Sequence, residues 1–217
     1  MDYNKLENAA QEILDIKTLK EQREELLERI IEQLTLKLDF CTGIPIVGLF
    51  TTIHKVGKSF FDYNMCMRLV DFYIGCRNID QQKKERFYRK NVHGKEKEVG
   101  YMILQLLERI DYDEKATLIG KLYILCVENE YDLDSFFRIC RCVERCFYYD
   151  LPYLKYWKET DSICSQNKMI PQEIMESLYN DGLLLECGID GGGFKEDDDA
   201  GTIYALNRFG KILVDLL

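Results

Sequence analysis

Between Ser59 and Cys76 the chain reads SFFDYNMCMRLVDFYIGC. Its apolar side chains (Phe60, Phe61, Met65, Met67, Leu69, Val70, Phe72, Tyr73, Ile74) fall on most sides of a helical projection. A helix apolar on most sides has no broad face to offer water and belongs at the centre of a bundle. The rest of the chain must therefore supply helices with one apolar face each, and the spacing provides them.

From Lys5 to Leu38 two stripes recur at helical spacing, Leu6–Ala9–Ala10–Ile13–Leu14 and Leu26–Leu27–Ile30–Ile31–Leu34–Leu38. Pro45 biases Ile44 to extended geometry and, with Gly43 and Gly48, predicts a turn. Asp80 is placed to cap a helix over QQKKERFYRKN, which Gly94 ends. Val99, Met102, Ile103, Leu106, Leu107 and Ile110 form the next face. Asp113 precedes another, with Ala116, Ile119, Leu122, Tyr123 and Cys126 inward. Asp132 precedes the sixth, with Leu133, Phe136, Phe137, Cys140, Val143 and Phe147 inward, and LPYLKYW restarts the chain as a short aromatic helix.

After residue 150 the pattern changes. Pro171 suits a first helical position, and the helix it opens ends at Gly182. LLLEC and TIYALN read as the strands of a hairpin around GIDGGGFKEDDDAG, and Asn207 is placed to cap a terminal helix, RFGKILVDLL. The expected fold is mainly α, a multi-helix bundle over residues 1–150 followed by a small α+β module over 151–217. The segment LYNDGLLLE…TIYALNRFGKIL resembles the final third of MarR- or PadR-type regulators, which implies a winged-helix-like module. Together with GIPIVGLFTTIHKVGKSFFDY, the same ending resembles helical proteins of bacterial accessory and phage-defence loci. That likeness carries no functional residues with it.

A winged helix implies DNA, and the charges oppose that reading. Residues 171–181 contain Glu173, Glu176 and Asp181 and no Lys or Arg, whereas groove readout uses Arg, Lys, Asn or Gln and cationic contacts to phosphate. The hairpin loop carries Glu196, Asp197, Asp198 and Asp199, which phosphates would repel. The chain's net charge is −9, distributed as −4 over residues 1–40, +5 over 41–100 and −10 over 101–217. Positive charge gathers at Lys83, Lys84, Arg86, Arg89, Lys90, Lys95 and Lys97 around Phe87 and Tyr88. That stretch is the candidate surface for a protein partner or an anion, including RNA, anionic lipid or a nucleotide, with the rings stacking. Glu85, Glu96 and Glu98 dilute it, and the plainer reading is a solvated helix face.

No secretory signal is expected in the N-terminal stretch, and nine cysteines, an odd number, fit reduced cytoplasmic thiols. Cys142 and Cys146 share a helix face, but no CxxC pair accompanies them, so no metal is assigned. Nor is a cofactor assigned. His54 and His93 are the only imidazoles and neither has a partner pattern, and no nucleophile or phosphate-loop motif occurs. A chain without catalytic activity, acting as a cytoplasmic adaptor-like regulator, is the expectation. Two alternatives stand beside it. One is a peripheral membrane-active effector using residues 40–63, where an apolar run ends in Lys55, Lys58 and aromatics. The other is a nucleic-acid or nucleotide binder using residues 83–97.

Overall fold

The computed structural model describes residues 28–39, 42–53, 60–76, 80–128, 131–191 and 201–217. Most of the long N-terminal amphipathic stretch (up to residue 27), Phe40, Cys41, the whole link over residues 54–59 with His54, Lys55 and Lys58, and Glu196–Asp199 lie outside those residues.

Residues 28–34 are helical and run into a π-helical turn, Thr35–Asp39, that buries Leu34 and Leu38. The chain then turns through Gly43, at φ 72°, and enters helix α1 (Ile46–Ile53). Asp39 caps α1 from a distance: its carboxylate accepts the N–H groups of Val47 (2.9 Å) and Gly48 (3.2 Å), which the first turn leaves without helical partners. Ile44, Ile46, Val47 and Phe50 have no exposed surface, so the described apolar part of residues 40–63 is core.

Helix α2 (Phe60–Cys76) is the apolar helix expected from Ser59 to Cys76. It packs along α5 (Glu114–Glu128) in the most extensive helix pair among the described residues. Met65, Cys66, Leu69, Phe72 and Cys76 are buried, and Ile74 is left exposed on the outer side. Asp80 caps α3 (Gln81–Phe87) by accepting the Lys83 N–H at 2.9 Å. The chain continues as a π-helical turn, Tyr88–Val92, closed by His93 N–H donating to Tyr88 O. That wider turn has a purpose in the packing. Phe87 and Val92 are five residues apart and both buried, an interval that an α-helix would splay around its axis and an i→i+5 turn brings to one side.

Helices α4 (Glu96–Arg109) and α6 (Leu133–Arg145) complete the helical part. Gly100 of α4 lets α1 lie close, since a Cβ there would press on the Leu49 side chain at 2.7 Å. At the centre Tyr123 is fully buried, with Phe87 and Phe136 edge-on at 5.8 Å and Phe72 at 6.3 Å. Its hydroxyl donates to Thr42 O at 3.0 Å, so this fully buried ring has no orphaned polar atom. Lys115 is also fully buried. Its ammonium donates to Asp111, to Glu144 O (3.0 Å) and to Cys146 O (2.6 Å), tying α5 to the C-terminal end of α6.

Phe147 differs from expectation. Helix α6 ends at Arg145, Cys146 adopts extended geometry, and the Phe147 ring leaves the inward face to stand 48% exposed. A 3₁₀ helix, Tyr148–Trp157, follows and buries Leu151, Leu154 and Trp157. Three antiparallel strands, β1 (Ile163–Cys164), β2 (Leu184–Asp190) and β3 (Gly201–Leu206), pair in the order β1-β3-β2. The β2–β3 ladder slips at Cys187. Helix α7 (Gln172–Asn180) precedes the hairpin and α8 (Arg208–Val214) follows it. The helix–hairpin–helix order read from the sequence is present, and β1 is an addition that two residues could not announce. Among the described residues no helix is long and apolar enough to cross a membrane.

Candidate functional surfaces

The basic stretch divides between surface and core. Lys83, Arg86, Arg89 and Lys90 are exposed on α3 and the π-helical turn, and Lys95 and Lys97 are exposed beyond Gly94. An open hollow of about 430 Å³ is lined by Gln82, Glu85, Arg86, Arg89 and Lys90. Lys84 and Phe87 point the other way and are 7% and 3% exposed, so Phe87 meets Tyr123 edge-on in the core and is not open to a ligand. Tyr88 is committed as well. Its ring lies over Gly43 and its hydroxyl donates to Glu96 at 2.6 Å. That bond, with the Gly94 N–H at 2.9 Å, holds the Glu96 carboxyl down at about 2. His93 is exposed, 3.6 Å from Glu96.

A second cationic surface lies on α6. Arg138, Arg141 and Arg145 recur at intervals of three and four, so they share a face opposite the buried Phe136, Cys140 and Val143. With Cys142, Gly182, Asn207 and Phe209 they line a cleft of about 510 Å³ between α6 and the turns that flank the hairpin. Among the described residues no carboxylate is part of its lining, although Asp134 and Glu144 bond two of the arginines. Arg138 donates through Nε to Asp134 (2.7 Å), Arg141 through one Nη to Glu144 (3.2 Å), and Arg145 through one Nη to Asp181 O (2.9 Å). Arg208 extends the rim: its guanidinium reaches the Ser135 hydroxyl at 3.5 Å. Asp132, the α6 cap, is held below its usual range by the Ser135 N–H and hydroxyl, and to a lesser degree by the charges of Arg208 and Lys90. Lys90 of the π-helical turn and Arg208 of α8 therefore both act on one carboxylate.

The spacing of Arg138, Arg141 and Arg145 was available in FFRICRCVER. Charge summed over residues 101–217 hides it under a large acidic excess.

The third surface is aromatic. Tyr112 sits among Phe147 (5.8 Å, edge-on), Tyr148 (5.6 Å, stacked) and Tyr149 (5.4 Å, edge-on). Phe147, Tyr149 and Tyr156 remain 48%, 59% and 45% exposed. These rings ride on a segment fixed from beneath by Leu151, Leu154 and Trp157, the last donating its indole N–H to Tyr204 O at 2.9 Å.

Beside that ridge is a cavity of about 480 Å³ lined by Asp71, Asp113, Glu114, Lys121 and the C-terminal leucines, among others. Burial, then the charges of Asp113 and Glu114, push the Asp71 carboxyl up. Arg68 pairs with Asp113 at 3.0 Å and Lys121 donates to Leu216 O, so the cations there are engaged in holding the fold.

The cysteines behave as small apolar side chains. Six of the eight described thiols are buried, and burial pushes Cys126 up to about 12 and Cys140 and Cys146 well above the ordinary thiol range. Among the described residues no three His, Cys, Asp or Glu side chains gather as a metal site would require. On α7, Glu173 and Glu176 are both exposed. No family model, curated protein or solved structure matches the chain.

Proposed function

We propose that this chain is a non-catalytic protein-interaction and regulatory protein, adaptor-like, that presents the aromatic ridge of Phe147, Tyr149 and Tyr156 to a protein partner. The observation that carries the reading is the combination of exposure and rigidity at those rings. Large aromatic side chains are over-represented at protein interfaces, and they dominate binding when little entropy is lost on fixing them. Here the rings are half exposed, yet their backbone is pinned by three buried side chains and one indole hydrogen bond.

The test is photo-crosslinking from position 149 in the native host, with position 189, even more exposed but on the hairpin, as control. The resemblance to proteins of defence loci makes a phage-challenged culture the setting of choice. A discrete protein adduct is expected from 149 alone. It should vanish in Phe147→Ala/Tyr156→Ala while the unfolding midpoint stays near that of the parent. Equal adducts from both positions, or an adduct indifferent to the two substitutions, would remove the ridge from the interface.

A further inference from the structure

The cleft between α6 and the hairpin turns has a composition that the adaptor reading does not use. Among the described residues, three guanidinium groups line it, with a half-buried phenyl ring and no carboxylate. We propose that this cleft is a binding site for a nucleoside phosphate, with the phosphates held by Arg138, Arg141 and Arg145 and the base lying against Phe209.

Three like charges on one helix face repel one another, so the arrangement is favourable only with counter-charges. Each arginine has one within the protein: Asp134 beside Arg138, the mostly buried Glu144 beside Arg141, and Asp181 near Arg145. Asp134 and Arg138 are both well exposed, with 73% and 65% of their side-chain surface open, and such pairs contribute at most about 1 kcal/mol. A phosphate group brings up to two charges and three acceptor oxygens to the same place. Guanidinium suits it better than ammonium does, because its planar fork donates two parallel bonds. Arg138 and Arg141, both in the cleft lining, each bond a carboxylate through a single nitrogen, and a guanidinium carries five N–H donors. Arg145 is fixed by the Asp181 carbonyl and needs no reordering.

The size and the neighbouring charges select a compact ligand. A volume of about 510 Å³ lies within the range of small-molecule sites. A long polyanion leaving the cleft toward Lys90 would pass Asp132, whose carboxylate feels both Lys90 and Arg208, and exposed Asp134 lies close by. A ligand confined to the cleft does not run past Asp132, and the Asp134 it approaches is already paired with Arg138 Nε at 2.7 Å. Phe209 supplies the apolar wall that a base would stack on, as rings do for bases elsewhere.

Calorimetric titration of the full chain at low salt, with ATP, GTP, inorganic pyrophosphate and a single-stranded RNA as separate probes, decides the matter. ATP or GTP should bind with a Kd below about 1 mM, pyrophosphate more weakly. Arg138→Ala and Arg141→Ala should each weaken both by about tenfold, and salt should weaken both. Phe209→Leu should weaken the nucleotide and leave pyrophosphate unchanged. Failure of every probe to bind overturns the proposal, as does binding indifferent to the arginine substitutions. Pyrophosphate binding as tightly as ATP, with Phe209→Leu silent, overturns the nucleoside assignment. RNA that binds through Arg138 and Arg141 while ATP does not compete would replace it with a polyanion surface. Since the aromatic ridge is not involved, none of these outcomes bears on the crosslink from position 149.

Discussion

Gly75 and Gly120 face each other where α2 crosses α5, so closely that a Cβ on Gly75 would stand 2.7 Å from the Gly120 Cα. The same Cβ would strike the Thr117 carbonyl, and one on Gly120 would strike the Phe72 carbonyl. Both obstacles are backbone, which cannot rotate aside. Cys76 uses the proximity, its thiol reaching Gly120 O at 3.5 Å. Gly75→Ala and Gly120→Ala should each lower stability by about 2–3 kcal/mol, read from urea unfolding with an unchanged slope. Gly191→Ala, where a Cβ would meet nothing within 4 Å, is the control. A loss at Gly75 no larger than at Gly191 would mean that the helices separate at little cost.

Lys115 is the one fully buried ammonium among the described residues, and its three acceptors include two carbonyls at the end of α6. Lys115→Met keeps the length of the side chain and removes the donors. The two carbonyls then lose their partner, and stability should fall by about 3 kcal/mol. Thermal unfolding of Lys115→Met against Asp111→Asn separates the contributions. Asp111 is half exposed, so its substitution should cost well under half as much.

Glu96 sets a pH dependence whose sign follows from its partners. Its folded-state value, about 2, lies below the ordinary 4.5, chiefly because of the Tyr88 hydroxyl bond. Its contribution is therefore complete above pH 4.5 and is lost as pH falls toward 2. Tyr88→Phe should bring the Glu96 carboxyl back toward its ordinary range, seen in a carboxyl NMR titration. Acid unfolding should begin at higher pH in that variant. A Glu96 titration unmoved by Tyr88→Phe would show that the Gly94 turn alone controls it.

Thiol reactivity should divide the cysteines by burial. Cys187 is exposed at the slip in the β2–β3 ladder, and Cys164 is half exposed on β1. In the native state Cys187 should react fast with an aromatic disulfide reagent, and Cys187→Ser should remove one equivalent of that phase. The six buried thiols should react only after denaturant is added. Fast labelling of Cys140 or Cys146, located by mass spectrometry, would contradict their burial.

Helical spacing and capping residues made most of the fold legible. Asp80, Asp132 and Asn207 cap the helices they precede, and Gly182 turns the chain after α7 at φ 83°. What the spacing could not carry were features set by contacts far away in the chain. The π-helical turn exists because Phe87 and Val92 must both reach the core, and the exit of Phe147 depends on where Lys115 holds the end of α6. Lys84 and Phe87 belonged to a basic-aromatic run on paper, and the direction of α3 against α5 decided which of its members face water. The arginine cleft needed three parts of the chain at once, the Gly182 turn among them. Its cations come from α6, and its far wall from Asn207 and Phe209.

Asn207 does more than start a helix. Its carboxamide oxygen takes the Phe209 and Gly210 N–H groups, while its nitrogen donates to Gly182 O at 2.7 Å and Leu184 O at 3.3 Å. The exit of α7, the first residue of β2 and the entrance of α8 thus share one amide group. Hydrogen exchange along those segments should proceed as a single cooperative opening, with Asn207→Ala splitting it into separate, faster phases.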